Sequence, residues 1–216
     1  MSRLDDLVEA LANDARPVRP LKPPLRRALG WLAAVGLTSG IAISWFSDFS
    51  RLTAYSTGQE EQLALQMAAM LATGIIAIIG AFYVSIPGRS RAWLFAPMVP
   101  FAAWLLLTGA GCYRDFVRSG ASGLELGHSL NCLSFIVGVS LPLGAVLIWR
   151  LARARPVEPT RVALLGGLGV AALAAFILHF FHPFAVTLID LAFHLLAIAL
   201  VVGATTLLNR RTLSPA

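Results

Sequence analysis

The stretch VALLGGLGVAALAAFILHFFHPFAVTLI, which runs from Val162 to Ile189, decides the fold. It holds no aspartate, glutamate, lysine or arginine, and similar residues continue beyond it to about residue 208. A helix that crosses the hydrocarbon core of a bilayer needs about 20 apolar residues. Because proline disfavours helix in the residue before it, we divide this run at His182-Pro183, into membrane spans near 162–181 and 184–208.

Four more stretches are apolar and long enough to cross a membrane, near 28–47, 63–86, 92–112 and 129–149. The chain is 57% hydrophobic and 13% charged, whereas a soluble domain is about 45 to 50% apolar and about 25% charged. No alternating pattern suggests barrel strands, and only helices or closed barrels satisfy their backbone in lipid. The predicted fold class is therefore an all-α integral membrane protein with six transmembrane helices.

The basic residues predict its orientation. Of 17 lysines and arginines, only Arg51, Arg114 and Arg118 fall on the side of the membrane opposite the N-terminus. By the positive-inside rule both termini are then cytoplasmic, and we expect a multi-pass protein of a bacterial inner membrane. The net charge of +6 accordingly sets topology and does not indicate nucleic-acid binding.

The segment before the first span divides into a helix and a spacer. Its first residues place apolar side chains at helical spacing on one face and acidic side chains on the other. This pattern predicts a short cytoplasmic amphipathic helix within residues 1–16. The residues expected to bind a basic protein partner are Leu4, Asp5, Asp6, Leu7, Val8, Glu9 and Leu11. A frayed, solvated terminus is the alternative. Residues 17–27, rich in proline and basic residues, predict an extended tether; residues 28–208 form the six-helix domain and 209–216 a cytoplasmic tail.

Both cysteines of the chain lie near the loop between spans three and four, in GCYRDFVRSGASGLELGHSLNC (residues 111–132). This loop is expected to face the exterior, where Cys112 and Cys132 can form a disulfide or bind a soft metal ion together with His128 and His182. A permanent structural disulfide and two unrelated buried thiols are the alternatives. Pro97, Pro100 and Pro142 fall in the same two spans and predict kinks.

Three further polar residues are expected to be buried near the last two spans. His179 lies one turn before His182, and Asp190 and His194 are spaced to share a helix face within span six. Ionisable groups at that depth usually face the bundle interior with a partner. Asp190 and His194 are interpreted in one of two ways. Either the aspartate holds the histidine in position by a hydrogen bond, as around a metal site, or the two form a buried hydrogen-bonded pair that only stabilises packing.

Several motifs together resemble one protein family. These are LDDLVEALANDARPVRPLKPPLRR (4–27), PGRSRAW (87–93), GCYRDF (111–116), GHSLNCLSFIVGVSLPLG (127–144) and FHPFAVTLIDLAFHLLAIALV (181–201). Taken over nearly the whole chain, they are similar to the NrsF family of six-span bacterial anti-sigma factors, negative regulators of sigma F.

The resemblance implies a non-enzymatic inner-membrane protein that sequesters an extracytoplasmic-function (ECF) sigma factor of the sigma-F type through its cytoplasmic N-terminal region. It implies release on stress by heavy metals such as copper or by oxidants, with Cys112 and Cys132 as the required sensor cysteines. No cofactor is obligatory, and a soft metal such as copper or zinc is an expected inducer. Two other classes are a membrane thiol oxidoreductase and a metal transporter. An oxidoreductase is expected to carry a C-x-x-C pair, which this chain lacks. A transporter would need polar residues at all depths of the membrane.

Overall fold

A computed structural model describes residues 3–14, 20–46, 57–119, 126–181 and 188–213. Within these ranges every regular element is helical. The α-helices are α1 Arg3–Asp14, α2 Pro24–Phe46, α3 Thr57–Val84, α4 Met98–Ser119, α5 Leu126–Ala152, α6 Pro159–Leu178 and α7 Leu188–Leu213, and a short 3₁₀ turn, Arg91–Leu94, precedes α4. Six segments, one for each helix from α2 to α7, are long and apolar enough to cross a membrane. The predicted all-helical fold with six such spans is confirmed.

The first part of the uncharged run, from Val162 to Leu178, lies in α6, the most enclosed helix of the bundle among the described residues. Nearly all of its side chains are buried, and it packs against α3, α5 and α7. A helix that is apolar on every face is suited to such a central position, because no side needs to meet water.

Successive helices of the bundle run in opposite directions. In the α3–α6 contact, Gly74 lies against Leu173 while Ile78 lies against Gly169. Gln62 and Met70 of α3 likewise contact α4 near residues 107 and 104, respectively. The starts of α2, α4 and α6 and the ends of α3, α5 and α7 therefore share one end of the bundle, the arginine-rich end. We call the opposite end the cysteine end.

The core divides along the bundle axis into two apolar clusters. The cluster nearer the arginine-rich end joins Ala28, Trp31 and Phe82 with Leu147 and Leu151, among others. The cluster nearer the cysteine end is built from Met70, Trp104, Cys132, Ile136, Ala174, Ala175, Leu178 and Ala197. Sequence position along each helix thus decides which cluster a residue joins.

Glycines let α6 approach its neighbours closely. A Cβ atom at Gly169 would lie 2.8 Å from Ile78 Cδ1, and one at Gly167 would lie 2.9 Å from the Cα of Val202. Small residues of this kind allow close helix contact in membrane proteins, where packing drives helix association.

Adding a methyl group at Gly167 is expected to destabilise the bundle. In Gly167→Ala the new Cβ meets the backbone of Val202 and lies 2.5 Å from Thr205 Oγ1, so α7 must shift, at a cost of about 1 to 3 kcal/mol. The matched control is Gly203→Ala on α7, where nothing lies within 4 Å of the new Cβ. Unfolding of the purified proteins in detergent measures both; equal midpoints for the two variants would contradict the close packing.

Several predicted boundaries differ from the helices in the structure. Helix α2 begins at Pro24, so the last four residues of the expected tether, 24–27, are helical. Helix α7 continues to Leu213, into the expected tail. Of the three prolines predicted to kink the cysteine-bearing spans, only Pro142 lies well inside a helix; Pro97 precedes α4 and Pro100 falls in its first turn. The division at His182-Pro183 lies outside the described residues.

Candidate sensor site and partner-binding helix

Both cysteines lie near the cysteine end, inside the bundle. Cys112 is about two turns before the end of α4, and Cys132 is about two turns after the start of α5. Their side chains are only 2% and 3% exposed, and both are present as thiols. The two thiols are therefore enclosed by protein, below the surface of the bundle.

The helices that carry the cysteines have different packing partners. Among the described residues, α4 packs mainly on α3 and also on α7, whereas α5 packs on α6 and α7. Cys132 belongs to the apolar cluster with Met70 and Trp104. Cys112 follows Gly111, and the side chain of Gln62 lies against Gly111. Gln62 Nε2 also donates a hydrogen bond to the carbonyl oxygen of Leu107 at 3.2 Å. Helix α7 thus contacts both cysteine-bearing helices.

A small cavity, with four polar side chains among its lining residues, lies among α3, α4, α6 and α7. It has a volume of about 10 Å³, close to the space needed by one water molecule, and is lined by Gln66, Met70, Trp104, Thr108, His179, Leu191 and His194. Thr108 precedes Cys112 by one helical turn on α4, and Trp104 packs in the cluster of Cys132. The cavity therefore adjoins the neighbourhoods of both thiols.

The structure brings two of the predicted histidines to this cavity. His179 is buried at the end of α6, and its Nδ1 lies 2.9 Å from the carbonyl oxygen of Ala175. Because a carbonyl oxygen can only accept, this contact assigns the ring hydrogen to Nδ1. His194 is buried on α7, with its ring centroid 6.4 Å from that of Trp104. The side chain of Asp190, its expected partner, lies outside the described residues.

The proposed metal ligands are only partly described. Cys112 and Cys132 are buried as stated, while His182 and the side chain of His128 lie outside the described residues. Within the part of the chain that the structure describes, no group of three or more histidine, cysteine, aspartate or glutamate side chains is placed to hold a metal. A soft-metal site that uses all four residues stays a prediction.

Sequence reasoning missed the polar residues that join the histidines. Gln66 and Thr108 are buried within apolar spans, and Thr108 Oγ1 and Trp104 Nε1 have no protein hydrogen-bond partner among the described residues. An amide or hydroxyl inside a membrane span is a usable signal, because such groups usually face the bundle interior. The sequence alone does not tell which of them converge.

The N-terminal helix α1 is amphipathic and exposed along its whole length. None of its residues is buried, and its apolar stripe, Leu4, Leu7, Val8 and Leu11, is 57 to 69% exposed. The acidic residues Asp5, Asp6 and Glu9 occupy the rest of its surface. All seven residues predicted to bind a partner therefore lie on an exposed helix.

A hydrogen bond connects the base of the N-terminal segment to α5. Arg27, in the first turn of α2, donates from Nη2 to the carbonyl oxygen of Arg150 at 2.8 Å. Its guanidinium carbon also lies 5.1 Å from the ring centroid of Phe82 on α3. In the sequence Arg27 counts only as one of the basic residues that predict orientation, but in the structure it also connects three helices.

The fold and these sites define a class of protein: a helical bundle of membrane type, with two enclosed thiols at one end and an exposed amphipathic helix preceding the other. The chain belongs to the NrsF family, described as negative regulator of sigma F, whose family model matches residues 11–214. That match confirms the resemblance found in the motifs, and the description implies a regulator with a sigma factor as its partner. No curated protein and no solved structure matches the chain significantly.

Proposed function

We propose that this protein is an inner-membrane anti-sigma factor that holds an ECF sigma factor through α1. It releases that sigma factor when a soft metal ion or an oxidant acts at Cys112 and Cys132. The observation that carries the proposal is the exposed apolar stripe of α1, none of whose residues is buried. The family description supplies the class of partner.

Helix α1 has the properties of a segment that binds in a groove of another protein. A 12-residue helix without tertiary packing is marginal in water, so its stability has to come from a partner. Its apolar positions follow the i, i+3, i+4, i+7 spacing of helices that dock in grooves, and its acidic residues complement the basic surface with which a sigma factor contacts DNA. The family match begins at residue 11, so the proposed role of α1 depends mainly on its exposure.

The arginine distribution supports the orientation that this function requires. Arg89, Arg91, Arg150, Arg153 and Arg155 all lie at the arginine-rich end, and positive residues concentrate on the cytoplasmic side of inner-membrane proteins. With that end in the cytoplasm, α1 shares a compartment with the sigma factor. The thiols then lie toward the exterior, where oxidants and metal ions arrive first.

The burial of both thiols would couple any reaction there to helix packing. Protein interiors are close-packed, so a bound ion or a new covalent bond at a side chain that is 2 to 3% exposed cannot be accommodated without moving its neighbours. Thiolates are also the preferred ligands of soft metal ions. A change at either cysteine would therefore alter helix packing, with His128 and His182 as further candidate ligands.

Helix α5 offers a direct route from the thiols to α1. Cys132 lies in its first third, and the carbonyl oxygen of Arg150 in its last turn accepts the hydrogen bond from Arg27. Arg27 stands at the start of α2, immediately after the segment that carries α1. A shift or rotation of α5 would consequently move the base of the segment that carries α1. We call this segment, residues 3–23, the arm.

Deletion of residues 3–14 tests the proposed docking site. We expect the deleted protein to reach the membrane, as followed by a C-terminal fluorescent fusion, but to retain none of the sigma factor on co-purification. Genes dependent on that sigma factor should then be expressed without stress. Normal co-purification and normal repression in the deletion strain would refute α1 as the docking site.

A further inference from the structure

The arginine-rich end carries a group of positive charges that no described carboxylate neutralises. We define the arginine patch as Arg27, Arg150 and Arg153. The side chain of Arg27 donates to a neutral main-chain carbonyl, and its Nη1 has no hydrogen-bond acceptor among the described residues. The side-chain ion pairs of Arg161 and Arg91 with Glu158 lie elsewhere at this end. Within the part of the chain that the structure describes, no carboxylate pairs with the arginine patch.

Two members of the patch, Arg27 and Arg153, are close enough for their charges to repel. Arg27 is bonded to the backbone of Arg150, three residues before Arg153, and this contact brings the two guanidinium charges of Arg27 and Arg153 near each other. Like charges brought together at the partly buried junction of two helices cost free energy, since a low local dielectric strengthens their repulsion. A bound anion would remove this cost.

An aromatic residue places the patch at the level of lipid headgroups. Trp149, near the end of the α5 span, is 58% exposed, and exposed tryptophans at span ends mark the membrane interface. The guanidinium carbon of Arg153 lies 4.1 Å from the centroid of the Trp149 ring. The charge of Arg153 is therefore held beside an interfacial ring, where phospholipid phosphates are found.

We propose that the arginine patch, between α2 and α5, binds the phosphate of an anionic phospholipid. The exposed side chains of Arg150 and Arg153 contact the headgroup, and the partly buried side chain of Arg27 adds positive charge to the site. Basic pockets between transmembrane helices bind anionic headgroups such as cardiolipin in this way. Lipid is favoured over an acidic protein segment because Trp149 supplies an adjoining apolar surface for the acyl chain. The inference requires no sigma factor and is independent of the proposed function.

Lipid binding by the full-length protein tests this inference. Native mass spectrometry in a neutral detergent would measure binding of cardiolipin, phosphatidylglycerol and phosphatidylcholine, with inorganic phosphate in a separate titration. We expect the two anionic lipids to bind and to raise the melting temperature, with phosphatidylcholine and free phosphate ineffective at the same concentration. Equal binding of phosphatidylcholine would overturn the proposal, and an equal effect of free phosphate would replace it with a small-anion site.

A matched pair of variants locates the site. Arg153→Gln should weaken anionic-lipid binding about fivefold, the effect of one basic residue near a lipid surface. Arg89→Gln is the control, since Arg89 also lies over an aromatic ring, that of Tyr83, at the same end of the bundle. Equal weakening by both variants would indicate non-specific attraction and refute the site. If lipid binds only after residues 3–14 are removed, α1 occupies the patch and the lipid proposal is wrong.

Discussion

Replacing Leu7 and Leu11 of α1 by aspartate is expected to weaken sigma-factor binding by at least about 100-fold. Burying a leucine side chain contributes about 1.5 to 3 kcal/mol, and about 1.4 kcal/mol corresponds to tenfold in affinity. Both side chains are about 60% exposed, so neither substitution removes packing within this protein. Titration of the purified unmodified protein and of the variant with the sigma factor would give the dissociation constant of each.

The control for this prediction is Leu21→Asp. Leu21 precedes α2 and is also an exposed leucine, so the variant makes one of the same leucine-to-aspartate changes in the N-terminal segment outside α1. We expect it to bind the sigma factor as the unmodified protein does. A similar loss of affinity in both proteins would show that negative charge on the arm, rather than the apolar stripe of α1, explains the effect.

Replacing Cys112 and Cys132 by serine should abolish induction and leave repression intact. Serine keeps nearly the size of cysteine but cannot form a disulfide and is a poor ligand for soft metals. The arm and the arginine-rich end are unchanged, so the sigma factor remains bound without stress. A reporter of sigma-dependent transcription, measured with and without copper or an oxidant, should show the same low signal in both conditions.

Met70→Leu separates thiol chemistry from core packing. Met70 contributes a second kind of sulfur to the cluster that contains Cys132, and exchange of methionine for leucine conserves volume at a cost below about 1.5 kcal/mol. We expect this variant to respond to stress normally. Loss of induction in Met70→Leu together with continued induction in the double serine variant would place the sensor away from the thiols.

Much of the fold follows from local features of the sequence. The absence of charge from residue 162 to residue 189 predicts a fully apolar helix, and α6 is the central helix of the bundle. The boundaries were less predictable because proline has two roles. At the first position of a helix its fixed φ favours the helical conformation, which is why Pro24 begins α2. Within the first turn of α4, Pro100 likewise removes no hydrogen bond that the helix could make.

The candidate site was predictable only in part. Burial of His179 and His194 follows from their position in apolar spans, and the structure places both at one cavity. Their meeting with Gln66 and Thr108 depends on how four separate helices are rotated, which no single-helix pattern encodes. The contact of Arg27 with the Arg150 carbonyl joins residues 123 positions apart in the chain, and local sequence does not specify such a partner.

The hydrogen bond between Arg27 and Arg150 also limits how far a captive sigma factor can travel. With the start of α2 fixed to the bundle, nine residues separate Pro24 from the end of α1 at Asp14, and nine extended residues reach about 30 Å. A sigma factor bound to α1 would therefore stay close to the arginine-rich end of the bundle. Because α1 is the proposed link between the two proteins, escape under stress depends directly on how far the affinity of α1 for the sigma factor falls.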